Sequence, residues 1–188
     1  MKWKIRQADA KPKSPFVKND SRYTAALALM VLLLALAYSN SFKAAWHMDD
    51  YPNILENPAV QVTQWDLGAL ERVFGLDRTQ GNNLSRPVAN LSFALNWSWH
   101  GTNVAGYHLI NLIVHIFNCL LVYSVVLLLG ATPGFPWRYR PQIHWIALGT
   151  SVLWAFHPIQ TQAVTYIVQR MTSLVTLFFL TAMVAYLK

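Results

Sequence analysis

Charged residues are scarce in this 188-residue sequence: Asp, Glu, Lys and Arg together make up only 12%. Soluble domains carry about 25%. Hydrophobic residues account for 54% of the chain, so a soluble fold would lack the polar residues needed to cover its surface. The composition excludes an ordinary soluble enzyme and a disordered chain. It predicts an all-α, polytopic membrane protein.

Cysteine is almost absent, because Cys119 is the only one and it lies in an apolar run. A single cysteine excludes a secreted module held together by intramolecular disulfides. The sequence also lacks the Cys and His spacing that is typical of zinc sites.

The net charge of +7 is unevenly distributed. Residues 1–22 hold seven basic residues and two Asp, whereas residues 41–104 hold four basic and six acidic residues. A basic tail next to an apolar segment is usually a topology signal. No aromatic residues that could stack on bases alternate with these basic residues, so we expect no nucleic-acid partner.

Four uncharged apolar runs predict about four transmembrane helices, because roughly 20 residues cross the hydrocarbon layer. The strictly apolar part of the first run is only 14 residues long and contains Ala35-Leu36-Ala37. A cleaved signal peptide is therefore an alternative for this run. The four runs are residues 23–42, 107–129, 143–156 and 171–187.

Basic residues predict the orientation of these spans. The turn at residues 130–141 is rich in Gly and Pro, and its only charged residues are Arg138 and Arg140. Their positive charge predicts that the turn lies in the cytoplasm, on the same side as the N-terminus. The predicted organisation is a cytoplasmic tail (1–22), a first span (23–42), an exterior segment (43–104) and three further spans (105–188).

Two short helices are predicted inside the exterior segment. Thr63 and Asp66 have the spacing of a capping box ahead of an apolar run. Arg86-Pro87 starts a second amphipathic stretch with proline in its first turn. We expect both helices to lie on the outer membrane surface, and a small soluble two-helix cap is the alternative.

The most suggestive polar residues follow the first span. Asp49 and Asp50 are adjacent carboxylates that could hold a divalent metal ion or take a proton from a hydroxyl. A solvated helix-capping turn is the simpler interpretation of these two residues. Near the predicted exterior ends of the later spans, His157 could polarise a substrate oxygen and Arg170 could pair with a phosphate.

A polar stripe also runs along the second span. Its residues are spaced to share one helix face, and hydrogen bonding to other helices is the preferred interpretation because intramembrane polar groups are costly. The stripe consists of His108, Asn111, His115 and Asn118.

In four stretches the sequence resembles the bacterial form of the transmembrane-and-tetratricopeptide-repeat protein O-mannosyltransferase family, within the GT-C superfamily. The stretches are WHMDDYPNILENP (46–58), RPVANLSFALN (86–96), GYHLINLIVHIFN (106–118) and AFHPIQTQAVTYIVQRMTSL (155–174). The resemblance covers roughly residues 25–188 and implies a partial GT-C-like fold.

The resemblance implies the amino-terminal portion of an integral-membrane glycosyltransferase that uses a polyprenyl-phosphate-linked sugar on the exterior face. It implies that Asp49 and Asp50 are catalytic and associated with a divalent metal such as Mg²⁺ or Mn²⁺. It places Arg86, His157 and Arg170 in motifs expected to bind the donor phosphate or the substrate. The expected partners are membrane lipid, the lipid-linked sugar and a protein or glycan acceptor, and the expected location is the bacterial inner membrane.

Two alternatives of other classes stay open. The first is a non-catalytic membrane scaffold or assembly subunit with the same fold. The second is a small transporter with the polar stripe as its path, although most ionisable groups gather at the exterior rather than at the membrane midplane.

Overall fold

The computed structural model describes residues 21–76 and 86–188, and every regular element in these two ranges is helical. The all-α prediction is therefore confirmed. The predicted cytoplasmic tail lies outside the described residues except for its last two. The α-helices of the described ranges are α1 (Ser21–Ala37), α2 (Leu67–Val73), α3 (Pro87–His100), α4 (Val104–Ala131), α5 (Ile143–Ala155), α6 (Thr161–Thr165) and α7 (Arg170–Leu187).

Three helical segments of the described chain are long and apolar enough to cross a membrane: Ser21–Lys43, Val104–Ala131 and Ile167–Leu187. At about 1.5 Å per residue, each spans the ~30 Å of a hydrocarbon layer. The protein is thus an integral membrane protein. The run predicted as the third span forms α5, whose 13 residues extend only about 20 Å. Four crossings therefore stay a prediction.

Helix α4 is the centre of the bundle and contacts α1, α3, α5, α6 and α7. On its inner side, Leu112 and Cys119 pack in one apolar cluster with Met30 and Leu34 of α1. The side chain of Leu34 is completely buried there. Helix α1 thus contributes to this core, and the cleaved signal peptide stays an alternative for this run.

The segment between the first two spans contains the two predicted short helices, α2 and α3. The N-cap of α2 is Asp66, whose carboxylate accepts a hydrogen bond of 2.6 Å from the Ala69 backbone N–H. The capping-box pattern implied Thr63 as the cap, and this was wrong because the helix begins only at Leu67. Helix α3 begins at Pro87, as predicted.

Helices α2 and α3 form a cap that packs on the bundle. Ala69 and Val73 of α2 pack against Ala94 of α3, and Phe93 on α3 packs in a cluster with Tyr107 of α4. The outer side of α2 exposes several apolar residues together with Glu71, which is compatible with the predicted position at the membrane surface. Its exposed residues include Leu67 and Leu70, followed by Phe74 and Leu76.

The connection from α5 to α7 runs alongside the first half of α4 and is not a continuous helix. It consists of short helical turns between residues 156 and 169. Such irregular backbone leaves carbonyl groups without helical partners, and these are costly inside a membrane protein unless other groups satisfy them.

The polar stripe of α4 supplies these partners. His108 Nδ1 donates to the Val164 carbonyl at 3.2 Å, and His115 Nε2 donates to the Ala155 carbonyl at 3.1 Å. Asn111 Nδ2 donates to the carbonyls of residues 166 and 167, and Asn118 Nδ2 donates to the Ser173 carbonyl at 3.0 Å. All four side chains are buried. The prediction that the stripe faces protein is confirmed, and three of the five bonds that it donates go to the broken connection.

We expect Asn118→Leu to lower the free energy of unfolding by about 1 kcal/mol, because it removes a hydrogen bond between α4 and α7. Unfolding in mixed detergent micelles measures this change. The matched control is Ser124→Ala, since Ser124 Oγ donates only to the Leu120 carbonyl of its own helix. Equal losses in the two variants would contradict a cross-helix role for Asn118.

Candidate active site

The chain makes a sharp turn just after the first span. Met48 has φ +29°, a conformation that residues other than glycine rarely adopt. A short π-helical turn, Tyr51–Leu55, follows. Strained backbone of this kind clusters at functional sites when the surrounding structure holds it in place. Asp49 and Asp50 lie between these two features.

Asp50 is completely buried and joins two parts of the chain. Its Oδ1 accepts from the Val168 backbone N–H at 2.8 Å, and its Oδ2 accepts from the His47 backbone N–H at 3.0 Å. Burial raises the pKa of the Asp50 carboxyl above its ordinary value, although the two N–H donors oppose this shift. Asp50 therefore holds the turn at residues 47–50 against the segment that leads into α7.

Asp49 has the opposite environment, because its side chain is exposed to solvent. Its backbone is tied down, because its N–H donates to the Tyr166 hydroxyl at 3.0 Å and its carbonyl accepts from Asn53 Nδ2 at 2.7 Å. The carboxylate also interacts with the Tyr166 hydroxyl. The backbone of Asp49 is thus held at a fixed place, and its side chain is accessible to solvent. Of the two acidic residues, Asp49 is the one with the geometry to meet a substrate.

Arg170 begins α7 and is completely buried. Its Nε donates to Asn111 Oδ1 at 2.7 Å, and its terminal nitrogens donate to the Tyr107 carbonyl at 3.0 Å and the Ser92 carbonyl at 3.2 Å. The guanidinium also lies 4.6 Å from the ring centre of Phe93. All of these contacts are made inside the protein. The sequence instead predicted that Arg170 would lie at the membrane edge and bind a phosphate.

Arg86 is exposed at the start of α3 and donates from Nη1 to Met171 Sδ at 2.7 Å. It therefore lies next to the start of α7. His157 is also exposed, and its Nδ1 accepts from the Ile159 backbone N–H at 3.2 Å, so it caps the short turn after α5.

The structure brings four of the five predicted site residues to one short stretch of chain, residues 166–171. Asp49 and Asp50 contact it through Tyr166 and Val168, Arg86 contacts Met171, and Arg170 belongs to it. His157 has no contact of this kind among its described bonds. Its ring bonds to Ile159 within its own turn.

The sequence interpretation missed Tyr166, whose hydroxyl fixes the backbone of Asp49. Tyr166 lies inside the stretch that carries the family resemblance, but no spacing pattern links it to a residue 117 positions earlier. Only the folded connection between α5 and α7 makes that link.

The donor atoms available for a metal ion are few. Among the described residues, no three His, Cys, Asp or Glu side chains come together in a group that could hold a metal ion. Both oxygens of Asp50 accept backbone N–H bonds. The exposed carboxylate of Asp49 remains as a ligand, and Mg²⁺ is commonly bound by one or two carboxylates together with substrate phosphate.

Comparison with known proteins identifies relatives along most of the chain. Protein O-mannosyl-transferase F38B6.6 of Caenorhabditis elegans is 28% identical over 183 residues, which is 96% of this chain and 25% of that protein. Protein O-mannosyl-transferase Tmtc3 of Drosophila melanogaster is 31% identical over 169 residues, covering 81% of this chain and 18% of its own length. The chain is homologous to the TMTC family. The resemblance of the four sequence stretches to this protein O-mannosyltransferase family is confirmed, whereas the bacterial form and the GT-C superfamily stay predictions.

The TMTC relatives are much longer than this chain. Protein O-mannosyl-transferase TMTC1 of Mus musculus, 30% identical over 166 residues, has only 16% of its length covered. The chain thus spans between 16% and 25% of these three relatives. No family model and no solved structure matches the chain.

Proposed function

We propose that this chain is part of an integral-membrane transferase that moves mannose from a polyprenyl-phosphate donor to a protein hydroxyl on the exterior face of the membrane. The observation that carries the proposal is the pairing of a buried Asp50 with an exposed Asp49 directly after a membrane-spanning helix. The names of the TMTC relatives, all protein O-mannosyl-transferases, support the sugar and the acceptor class. We place the fold in the GT-C superfamily on the resemblance alone.

In the proposed reaction Asp49 is the general base. It takes the proton of the acceptor hydroxyl while the hydroxyl oxygen forms a bond to the anomeric carbon of mannose. The bond between that carbon and the phosphate oxygen breaks, and the polyprenyl phosphate leaves with the electron pair. The exposed position of Asp49 allows an acceptor to approach, and its fixed backbone limits the number of orientations that must be frozen.

Arg86 is the proposed ligand for the donor phosphate. Its guanidinium is exposed beside the start of α7, and guanidinium groups pair with phosphate through two parallel hydrogen bonds. His157 is kept as a second candidate for substrate contact. Arg170 is assigned a positioning role, because it holds α3, α4 and α7 together around the stretch that contacts both aspartates.

A divalent ion such as Mg²⁺ or Mn²⁺ would be held by Asp49 and the donor phosphate. It would neutralise charge on the phosphate. Asp50 is left out of this proposal because a metal would compete with its two N–H donors.

The main alternative is a non-catalytic scaffold with the same fold. The buried contacts of Asp50 and Arg170 agree with it, because both residues join separate elements of the fold. The transporter alternative loses its main support, since all four stripe residues bond to backbone carbonyls.

An assay of mannose transfer in membranes distinguishes the proposed transferase from a non-catalytic scaffold. Membranes that contain the intact protein are incubated with radiolabelled polyprenyl-phosphate mannose, and the protein fraction is treated with mild alkali to release sugar from Ser and Thr. We expect label in the protein fraction that alkali releases. Label that stays entirely in the lipid fraction, with the protein correctly inserted, would support the scaffold instead.

The proposed location is the bacterial inner membrane, with the N-terminus and Arg138 in the cytoplasm and residues 43–104 outside. The distribution of basic residues supports this orientation, and the bacterial inner membrane rests on the family resemblance alone. On a Cys119→Ala background, a membrane-impermeant maleimide should label Glu71→Cys only from outside and Arg138→Cys only from inside. Both positions are exposed in the structure. The reverse pattern would overturn the orientation.

A further inference from the structure

The end of the bundle away from Asp49 carries a short turn that is both basic and aromatic. Helix α4 extends about 42 Å. Asn111 in its first half bonds to Tyr166, which holds Asp49, whereas the turn Trp137–Gln142 comes after its other end. This turn, called the arginine turn below, has the sequence WRYRPQ, in which two arginines alternate with two aromatic residues. None of the groups assigned to transfer belongs to it.

The two arginines of the turn are held in place and keep free donors. Arg138 is exposed, and its guanidinium lies 4.6 Å from the ring centre of Tyr139. Stacking on a ring occupies the face of a guanidinium and leaves the N–H groups at its edge accessible. Arg138 has no hydrogen bond to another residue of the described ranges. Arg140 uses Nη2 to donate to the Thr132 carbonyl at 2.9 Å, which ties the turn to the end of α4.

The aromatic residues of the turn indicate its depth. Trp137 is 83% exposed and Tyr139 is 43% exposed. Trp and Tyr are enriched at membrane–water interfaces, where their rings lie at the level of the lipid headgroups. Helix α4 is longer than the ~30 Å hydrocarbon layer, so the turn after its end comes at that boundary. The guanidinium groups are therefore at the depth of lipid phosphates.

Positive charge from a second part of the chain converges on this end of the bundle. Tyr23 of α1 stacks on His144 of α5 at 4.4 Å and meets Trp145 edge-on at 5.2 Å, so the start of α1 adjoins the start of α5. The residues up to 22, with seven basic and two acidic side chains, join α1 at this point. From residue 78 to residue 188 the sequence has no Asp or Glu that could neutralise the arginine turn.

We propose that the arginine turn binds the phosphate of an anionic phospholipid such as phosphatidylglycerol. Guanidinium groups pair with phosphate oxygens through short, charge-assisted hydrogen bonds. Basic clusters directly beside a membrane span attract anionic headgroups. A zwitterionic phospholipid fits less well, because residues 78–188 offer no carboxylate to its ammonium group. Trp137 and Tyr139 pack beside the bound headgroup. This site is independent of the proposed transfer reaction.

Native mass spectrometry of the intact protein tests the proposal. The protein is kept in detergent micelles with equal amounts of phosphatidylglycerol and phosphatidylcholine that carry the same acyl chains, and the lipids retained in the gas phase are counted. We expect the parent to retain more phosphatidylglycerol. Arg138→Gln should lower the ratio of the two lipids about fivefold, the effect of one basic residue next to an anionic surface.

Lys43→Gln is the matched control. Lys43 is exposed at the opposite end of the first span, so this variant loses the same charge away from the arginine turn and should keep the parental ratio. Arg138→Gln should also fold, because Arg138 contacts only the neighbouring Tyr139 ring among the described residues. Equal retention of both lipids by the parent, or equal losses in the two variants, would overturn the proposal.

Two competitors distinguish a lipid from other anions. Excess inorganic phosphate should leave the retained phosphatidylglycerol unchanged, because it lacks acyl chains to hold it at the membrane surface. Displacement by phosphate would instead show a site for free anions. A hexaglutamate peptide that displaces the lipid from the parent, and binds less to Arg138→Gln, would show an acidic protein partner. Either displacement overturns the lipid site, and neither bears on the proposed transfer reaction.

Discussion

Asp49→Asn should lower the rate of mannose transfer by the intact protein by about 10²–10⁴-fold, the usual cost of losing a positioned general base. The substitution keeps the size of the side chain and removes its charge and basicity. The side chain is exposed, and asparagine keeps the two backbone bonds that fix this residue. We therefore expect insertion and melting temperature to match those of the parent. Initial transfer rates and melting curves from one preparation measure both.

Asp50→Asn is the matched control, because it makes the same chemical change one residue later. An asparagine can accept only one of the two backbone N–H bonds that Asp50 accepts, from His47 and Val168. A buried N–H without a partner costs about 1–3 kcal/mol, so this variant should melt earlier. Parental transfer by both single variants and by the double variant would show that the pair is a structural turn.

Arg170→Met should lower the free energy of unfolding by about 3 kcal/mol, within the range for loss of a buried network. The side chain of Arg170 is completely buried and donates to three acceptors on α3 and α4. The sequence contains no Asp or Glu after Asp77, so the second half of the chain brings no carboxylate to this cation. Carbonyl dipoles and aromatic faces stabilise it instead.

Two control variants show how the result for Arg170→Met is to be interpreted. Arg138→Met removes an exposed arginine and should change the stability little. Arg170→Lys should fall between the parent and Arg170→Met, because lysine keeps the charge but lacks the rigid fork that reaches three acceptors. If Arg170→Met melts like Arg138→Met and loses only transfer, Arg170 contacts the substrate and the positioning role is wrong.

Local patterns in the sequence were enough to predict much of the fold. Uncharged apolar runs gave the positions of α1, α4 and α7, because crossing a membrane requires length and low polarity whatever the tertiary contacts are. The start of α3 was predicted from Pro87, since proline is favoured in the first turn of a helix. The spacing of the α4 stripe correctly predicted a face directed at protein.

The irregular connection from α5 to α7 could not be predicted in the same way. Its backbone is held by side chains some 40 to 56 positions away in the sequence, such as His115 and Asn111. No local period encodes such pairs. The same limit applies to Asp49 and Asp50. The segment that bonds Asp50 lies 118 positions further along the chain, so the sequence could not show which of the two carboxylates is buried.

The most direct measurement of the central claim uses sealed vesicles that contain the intact protein and radiolabelled polyprenyl-phosphate mannose. A membrane-impermeant, Ser- and Thr-containing peptide is added outside vesicles of either orientation. We predict that the peptide gains alkali-labile mannose only when the exterior face, with residues 43–104, is outward, and that Asp49→Asn prevents this. Equal labelling by Asp49→Asn, or labelling only of vesicles with the cytoplasmic face outward, would contradict the proposed site.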